Sequence, residues 1–144
     1  MVRVPDSVAG AAAGRGRRVA GVASLLDLHP TLVELAGIRH PRGDALHVGW
    51  SLAPALLARG GKPPAPSVPT GRALLAEVTM GPVALRSVRD GRWHLVRASA
   101  PPNRTAVALY DYVSDPGERR DAAEREPQVR TEQESRLDAL FEAL

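Results

Sequence analysis

Asp90-Gly91 constrains this chain more than any other feature. It stands between two runs of alternating character, Val83 to Arg89 and Arg92 to Ala98. A two-residue Asp-Gly linker supplies the positive-φ positions of a tight turn, so the two runs are expected to form a β-hairpin. Ala73 to Val78 and Ala106 to Tyr110 flank the hairpin and read as further strands. Asp115-Pro116-Gly117 reads as a turn. From Glu126 onward, Val129, Gln133, Leu137, Leu140, Phe141 and Leu144 fall on one face of a terminal amphipathic helix. The second half of the chain is therefore expected to be a small antiparallel sheet with a covering helix.

The first half has a different period. Val2-Arg3-Val4 alternates up to Pro5 and reads as a short strand; Gly10 to Arg18 reads as a basic loop. Leu25, Leu28, Leu32 and Leu35 step by three, four and three, which is one helical face. Asp27 is the expected N-cap, Pro30 fits the first turn, and Gly37 is the expected stop. Glu34 points away from the leucines. Ser51 to Arg59 reads as a second short helix capped by Ser51. Lys62 to Pro69, "KPPAPSVP", is a Pro-rich connector. The expected organisation is an α/β remnant over 1–62, a linker over 63–71, and an antiparallel β subdomain with a terminal helix over 72–144, an α+β whole.

The 144 residues fit one domain or a piece of one, and 44% are hydrophobic, which excludes a disordered composition. Large side chains are few: one Phe, two Trp and two Tyr. The net charge is +3, but the arginines are interspersed with acids, so the charge reads as solvated surface and not as a nucleic-acid footprint. The absence of cysteine excludes disulfides, thiolate metal sites and a Cys nucleophile within these residues. No stretch reads as a secretory leader and none is long enough to span a bilayer, which leaves a cytoplasmic location as the default expectation.

Several groups of residues could carry chemistry. Asp27 and His29 form an Asp-x-His pair, but residues two apart on a helix point about 200° from each other, so they are not expected to share a ligand. His40, Asp44 and His47 could form a loop site for zinc, against a plainer reading as exposed loop residues. Arg86, Arg89, Arg92 and Arg97 could grip an anion; the plainer reading places them on the wet face of the sheet. His94 could face a cleft, but a general base needs a partner that the sequence does not name. From these patterns no catalytic, cofactor-binding or metal-binding residue is assigned.

Three segments, in order, resemble the C-terminal portion of sulfatases, the arylsulfatase-like branch of the alkaline phosphatase superfamily. Val22 to Ile38, "VASLLDLHPTLVELAGI", is similar to the family's V-S-x-x-D-x-x-P-T-L-L-x-L-A-G helix. Gly49 to Leu57, "GWSLAPALL", is similar to its D-G-x-S-L-x-P-L-L. The hairpin "ALRSVRDGRWHLVR" followed by "LYDYVSDPGERRDAA" resembles its L-Y-D-L-x-x-D-P-x-E-x-x-N-L-A. Val2 to Pro5 resembles the strand leading into this region. Two positions depart: Asp121-Ala122 replaces the usual Asn-Leu, and Asp44 lies too far from Gly49 for the usual Asp-Gly pair.

The resemblance implies that "DLHPT" fronts a structural helix. It also implies that the family's formylglycine, metal-binding Asp/Asn and neighbouring Lys, His and Arg lie upstream of every residue here. Ser67-Val68-Pro69-Thr70 imitates the start of the family's Cys/Ser-x-Pro-Ser/Thr-Arg signature. Gly71 separates Thr70 from Arg72, which would displace the Arg, so the stretch reads as a linker. The implied function is that of a C-terminal sulfatase part, inactive alone, from a truncated gene, a misplaced start or a split enzyme. No cofactor is expected within it, although the complete enzyme would use Ca²⁺ and formylglycine. Its expected partners are the remaining N-terminal part or a second copy, with neither nucleic acid nor membrane. The alternatives are a free-standing interaction module and a relative acting on phosphate or phosphonate esters.

Overall fold

The computed structural model describes residues 21–38, 49–57 and 71–143. The chain divides into two units between Thr70 and Gly71. The expected strand at Val2 to Val4, the loop at Gly10 to Arg18 and the Pro-rich connector lie outside the described residues.

In the second unit, four strands run in sequence order as an antiparallel meander: β1 (Leu74–Met80), β2 (Val83–Arg89), β3 (Trp93–Ala100) and β4 (Arg104–Asp111). The β2–β3 hairpin closes at Asp90-Gly91 as expected, but not through positive φ, which neither residue adopts; the Asp90 side chain holds the turn. The Asp90 amide donates to the Trp93 carbonyl at 3.0 Å, and its carboxylate accepts from the amides of Arg92 and Trp93 at 2.8 and 2.7 Å. Because side chains alternate across a strand, register decides which residues meet. Leu75 pairs with Val88, Val88 with Leu95, and Leu95 with Leu109, which places one apolar row across all four strands.

Helix α3 (Pro127–Glu142) covers that row; two shorter helices, α1 (Leu28–Leu35) and α2 (Ala53–Leu57), belong to the first unit. Pro127 opens α3 where a missing N–H costs nothing. Val88, Leu95, Leu109 and Leu137 are fully buried, and Val129, Leu140 and Phe141 pack against them. The same carboxylate that shapes the hairpin turn holds the helix. Asp90 accepts from Gln133 Nε2 at 2.8 Å and from Arg136 Nη1 at 3.3 Å. Burial alone would raise the Asp90 pKa. The amides of Trp93 and Arg92, with Gln133 and Arg136, outweigh it and hold the group below the usual carboxylate range.

The first unit corrects the sequence expectation. A 3-10 turn, Leu25–Asp27, precedes helix α1 (Leu28–Leu35). Asp27 stands at the N-cap position of α1 as expected but makes no side-chain cap bond there; the side-chain cap is that of the 3-10 turn, where the Ser24 hydroxyl accepts from the Leu26 amide while Asp27 reaches back to the Ser24 amide, a reciprocal capping box. Gly37 stops α1 as expected. At φ +69 it allows a Schellman ending, with Ile38 donating to the Val33 carbonyl at 3.1 Å and Gly37 to that of Glu34 at 3.0 Å. The leucine stripe is not the inner face: Leu25, Leu28 and Leu32 are 85%, 40% and 63% exposed, whereas Asp27 and Thr31 are buried. Helix α2 (Ala53–Leu57) follows; it begins two residues after the expected cap Ser51, whose Oγ accepts from the Ala53 amide at 3.2 Å.

Candidate functional site

Asp27 and Thr31 lie one turn apart on the buried side of the 3-10 turn and α1, and both face chain that is more than twenty residues away in sequence. Asp27 Oδ2 accepts from the Ser24 amide and Oδ1 from the Trp50 amide, each at 2.8 Å. The Thr31 hydroxyl donates to the Asp27 carbonyl and accepts from the Leu52 amide at 2.8 Å. Two side chains thus grip alternate amides of one extended stretch, Trp50 and Leu52. Buried carboxylates persist where backbone donors satisfy them.

Gly49 completes the bracket. Its φ is +131, and an added Cβ would fall 2.3 Å from the Leu26 carbonyl oxygen. Only glycine lets the two backbones approach this closely. "D-x-x-P-T" and "G-W-S-L" are therefore two halves of one joint. The sequence shows both halves without showing the joint, because the bonds link side chain to distant backbone.

The remaining candidates separate. Asp27 is fully buried whereas His29 is exposed. His40, Asp44, His47 and Ser67 to Thr70 lie outside the described residues. The four hairpin arginines engage their own unit. Arg86 pairs with Glu77 at 2.9 Å and Arg92 with Asp111 at 3.0 Å, while Arg97 pairs with Asp138 of α3. The Arg89 guanidinium lies 3.6 Å from the centroid of the Tyr112 ring. Contrary to the wet-face expectation, Arg86 and Arg97 project on the side that carries Leu95, where α3 lies. Asp111 and Asp138 are held below the usual carboxylate range, first by the hydrogen bonds from Arg92 and Arg97.

His94 does find a partner: its Nδ1 lies 2.8 Å from Glu118 Oε1. Glu118, with φ 51, belongs to the "DPGE" turn. In that turn Asp115 accepts from the amides of Arg119 and Arg120 at 2.7 and 2.8 Å. Asp121 then accepts from the Leu109 amide at 3.0 Å and the Ala123 amide at 2.8 Å, which sets Ala122 and Ala123 into the core. Only acceptor capacity is used there, and an Asn carbonyl offers the same, so the Asp121 departure is chemically conservative. The third motif, like the first two, ties backbone to backbone.

Among the described residues no three His, Asp or Glu side chains stand close enough together to hold a metal ion. No helix among them is long and apolar enough to cross a membrane.

No protein-family model matches the sequence. The chain is 30% identical over 142 residues to arylsulfatase K of Xenopus laevis, an alignment spanning 96% of the chain and 26% of that relative. The chain is related to the sulfatases. Its sequence and its small four-stranded sheet with helices match their C-terminal portion. In fold it is similar to BT4656, solved in complex with its substrate D-glucosamine-2-N,6-O-disulfate. The TM-score is 0.58 at 21% identity, covering 81% of this chain and 23% of that one. It is equally similar to yidJ of Bacteroides fragilis, classed as a sulfatase, with a TM-score of 0.58 at 18% identity, covering 81% and 24%. The sulfatase-like chain thus spans about a quarter of the length of the relatives it matches.

Proposed function

We propose that this chain completes the fold of a sulfatase and helps wall its substrate cleft, and that it does not hydrolyse sulfate esters by itself. The observation that carries the reading is the Asp27–Thr31 joint. The polar cluster that most looks like chemistry in the sequence directs its oxygens at backbone amides of its own chain. The arginines that might grip a sulfate are likewise engaged with carboxylates or a ring of their own unit. A catalytic body with the formylglycine nucleophile and Ca²⁺ would carry the reaction, the metal polarising ester oxygens as a Lewis acid.

The test is direct. The purified 144-residue chain is expected to leave an aryl sulfate unhydrolysed, with or without added Ca²⁺. Turnover that disappears on Ser67→Ala would overturn the reading and make "SVPTGR" an active site.

A further inference from the structure

We infer that the free edge of strand β1 is a self-pairing surface, and that its occupant is β1 of a second copy of this chain. The two edges of the sheet differ. At the β4 edge the chain folds back on itself: the Leu109 amide donates to Asp121 Oδ1 at 3.0 Å, and the Leu109 carbonyl accepts from the Ala122 amide at 2.7 Å. β1 is the opposite edge strand. Ala76 through Met80 are all exposed, with Val78 at 49% and Met80 at 61%. The outward amides and carbonyls of an edge strand have no ladder partner in their own sheet, so another strand can take them. Natural edges are commonly blunted by charged side chains, Pro or a bulge. β1, "LLAEVTM", has no Pro, and its register against β2 runs unbroken from Leu74 with Arg89 to Met80 with Val83. Its single charge, Glu77, is paired with Arg86 of the same sheet at 2.9 Å.

Self-complementarity selects the occupant. Two β1 strands related by a two-fold axis through Val78 meet antiparallel. Val78 then faces Val78 of the second copy, Ala76 faces Met80, and Glu77 faces Thr79. Because side chains alternate across a strand, the first two kinds of pair share one side of the sheet and the third lies on the other. On the apolar side a small residue meets a large one. On the other side the Thr79 hydroxyl can donate to the Glu77 carboxylate. An axis through Glu77 would instead set two like charges directly opposite each other, which destabilises a strand pair. An axis through Thr79 would pair only Val78 to Met80 before the strand ends. Strand addition of this kind binds through main-chain hydrogen bonds, and the side-chain pairs set its register. The shared segment, Ala76 to Met80, is short. Its buried area falls below the roughly 1,200–2,000 Å² of stable interfaces, so the pairing is weak and concentration-dependent.

The full 144-residue chain has no cysteine, so a single introduced thiol reports its own position. Sedimentation of the unaltered chain is expected to pass from monomer to dimer as concentration rises. Val78→Lys, at a half-exposed position, is expected to weaken dimerisation at least tenfold while circular dichroism shows the sheet intact. Glu132→Lys, at an exposed position of α3, is expected to leave it unchanged. Mild oxidation of Val78→Cys is expected to give a disulfide-linked dimer, because directly opposed residues stand about 4.5–5.5 Å apart, within disulfide range. Met80→Cys is the more exposed position, yet it is expected to stay uncrosslinked, since its two copies would lie about 14 Å apart. A chain that stays monomeric and leaves Val78→Cys uncrosslinked overturns the inference. So does a dimer that Val78→Lys does not weaken, or cross-linking at Met80→Cys as fast as at Val78→Cys. A monomer whose β1 amides resist hydrogen exchange would assign the edge to the chain's own residues and also overturn it.

Discussion

Replacing Asp27 by Ala separates a joint from a simple helix cap. A cap alone predicts a loss of about 1 kcal/mol. In the structure the carboxylate accepts from two amides, Ser24 and Trp50, each at 2.8 Å, and is itself fully buried. Hydrogen bonds to a charged group contribute about 1.5–3 kcal/mol each. Both donors lie near enough to the surface for water to replace part of the loss, which places the total near the lower end, about 3 kcal/mol. The loss should also be local to the joint. Hydrogen exchange read by NMR is the assay, because it resolves the Trp50 amide, 23 residues away from the mutation. At 1.36 kcal/mol per tenfold, exchange at Trp50 should accelerate about 100-fold, or reach the free-peptide rate first. Asp27→Asn should fall between, since one oxygen becomes a donor facing a donor. If Asp27→Ala leaves Trp50 protection unchanged and costs only the amount of a cap, the joint does not hold the two segments together.

Gly49→Ala should be as damaging as loss of Asp27, because its Cβ would meet the Leu26 carbonyl and its φ of +131 strains any L side chain by about 1–3 kcal/mol; lost protection at both Trp50 and Leu52 is the readout. The second unit should weaken in acid through Asp90. Its folded pKa lies below an unfolded value of about 3.9, so its contribution is fully present above that value and is lost as pH falls through the folded pKa. Thermal melts of the wild type and Asp90→Asn should therefore differ most above about pH 5 and converge as pH falls through the lowered folded pKa; a gap that stays constant as the solution is acidified would refute the assignment.

The sequence was most legible where the governing chemistry is local. Asp90-Gly91 sets its own turn, and the expected strand Val83 to Arg89 is the observed one. The expected strand Ala106 to Tyr110 falls short of the observed Arg104–Asp111, because Arg104 and Thr105 follow a Pro-Pro-Asn turn and become strand only by pairing with Ala100 and Ser99. The leucine periodicity of α1 identified a helix but not which side is buried. Periodicity defines a stripe; it cannot show that Asp27 and Thr31 occupy the inner side on account of amides more than twenty residues later. For the same reason His94 had no visible partner until the "DPGE" turn brought Glu118 to it, 24 residues downstream. The resemblance to sulfatases marked all three motifs, and the structure supplies the physical reason each is made of these residues.

The joint at Gly49 also bears on how this region can change length. Its two halves are closed by Asp27 and Thr31 holding the amides of Trp50 and Leu52. Closing a flexible segment costs only about 0.6 kcal/mol more for each doubling of its length. A joint fastened at both ends by charge-assisted and hydroxyl bonds outweighs that penalty several times over. The chain length between Ile38 and Gly49 can therefore change at a cost smaller than the clasp supplies, which makes this a place where relatives can differ in length while keeping it.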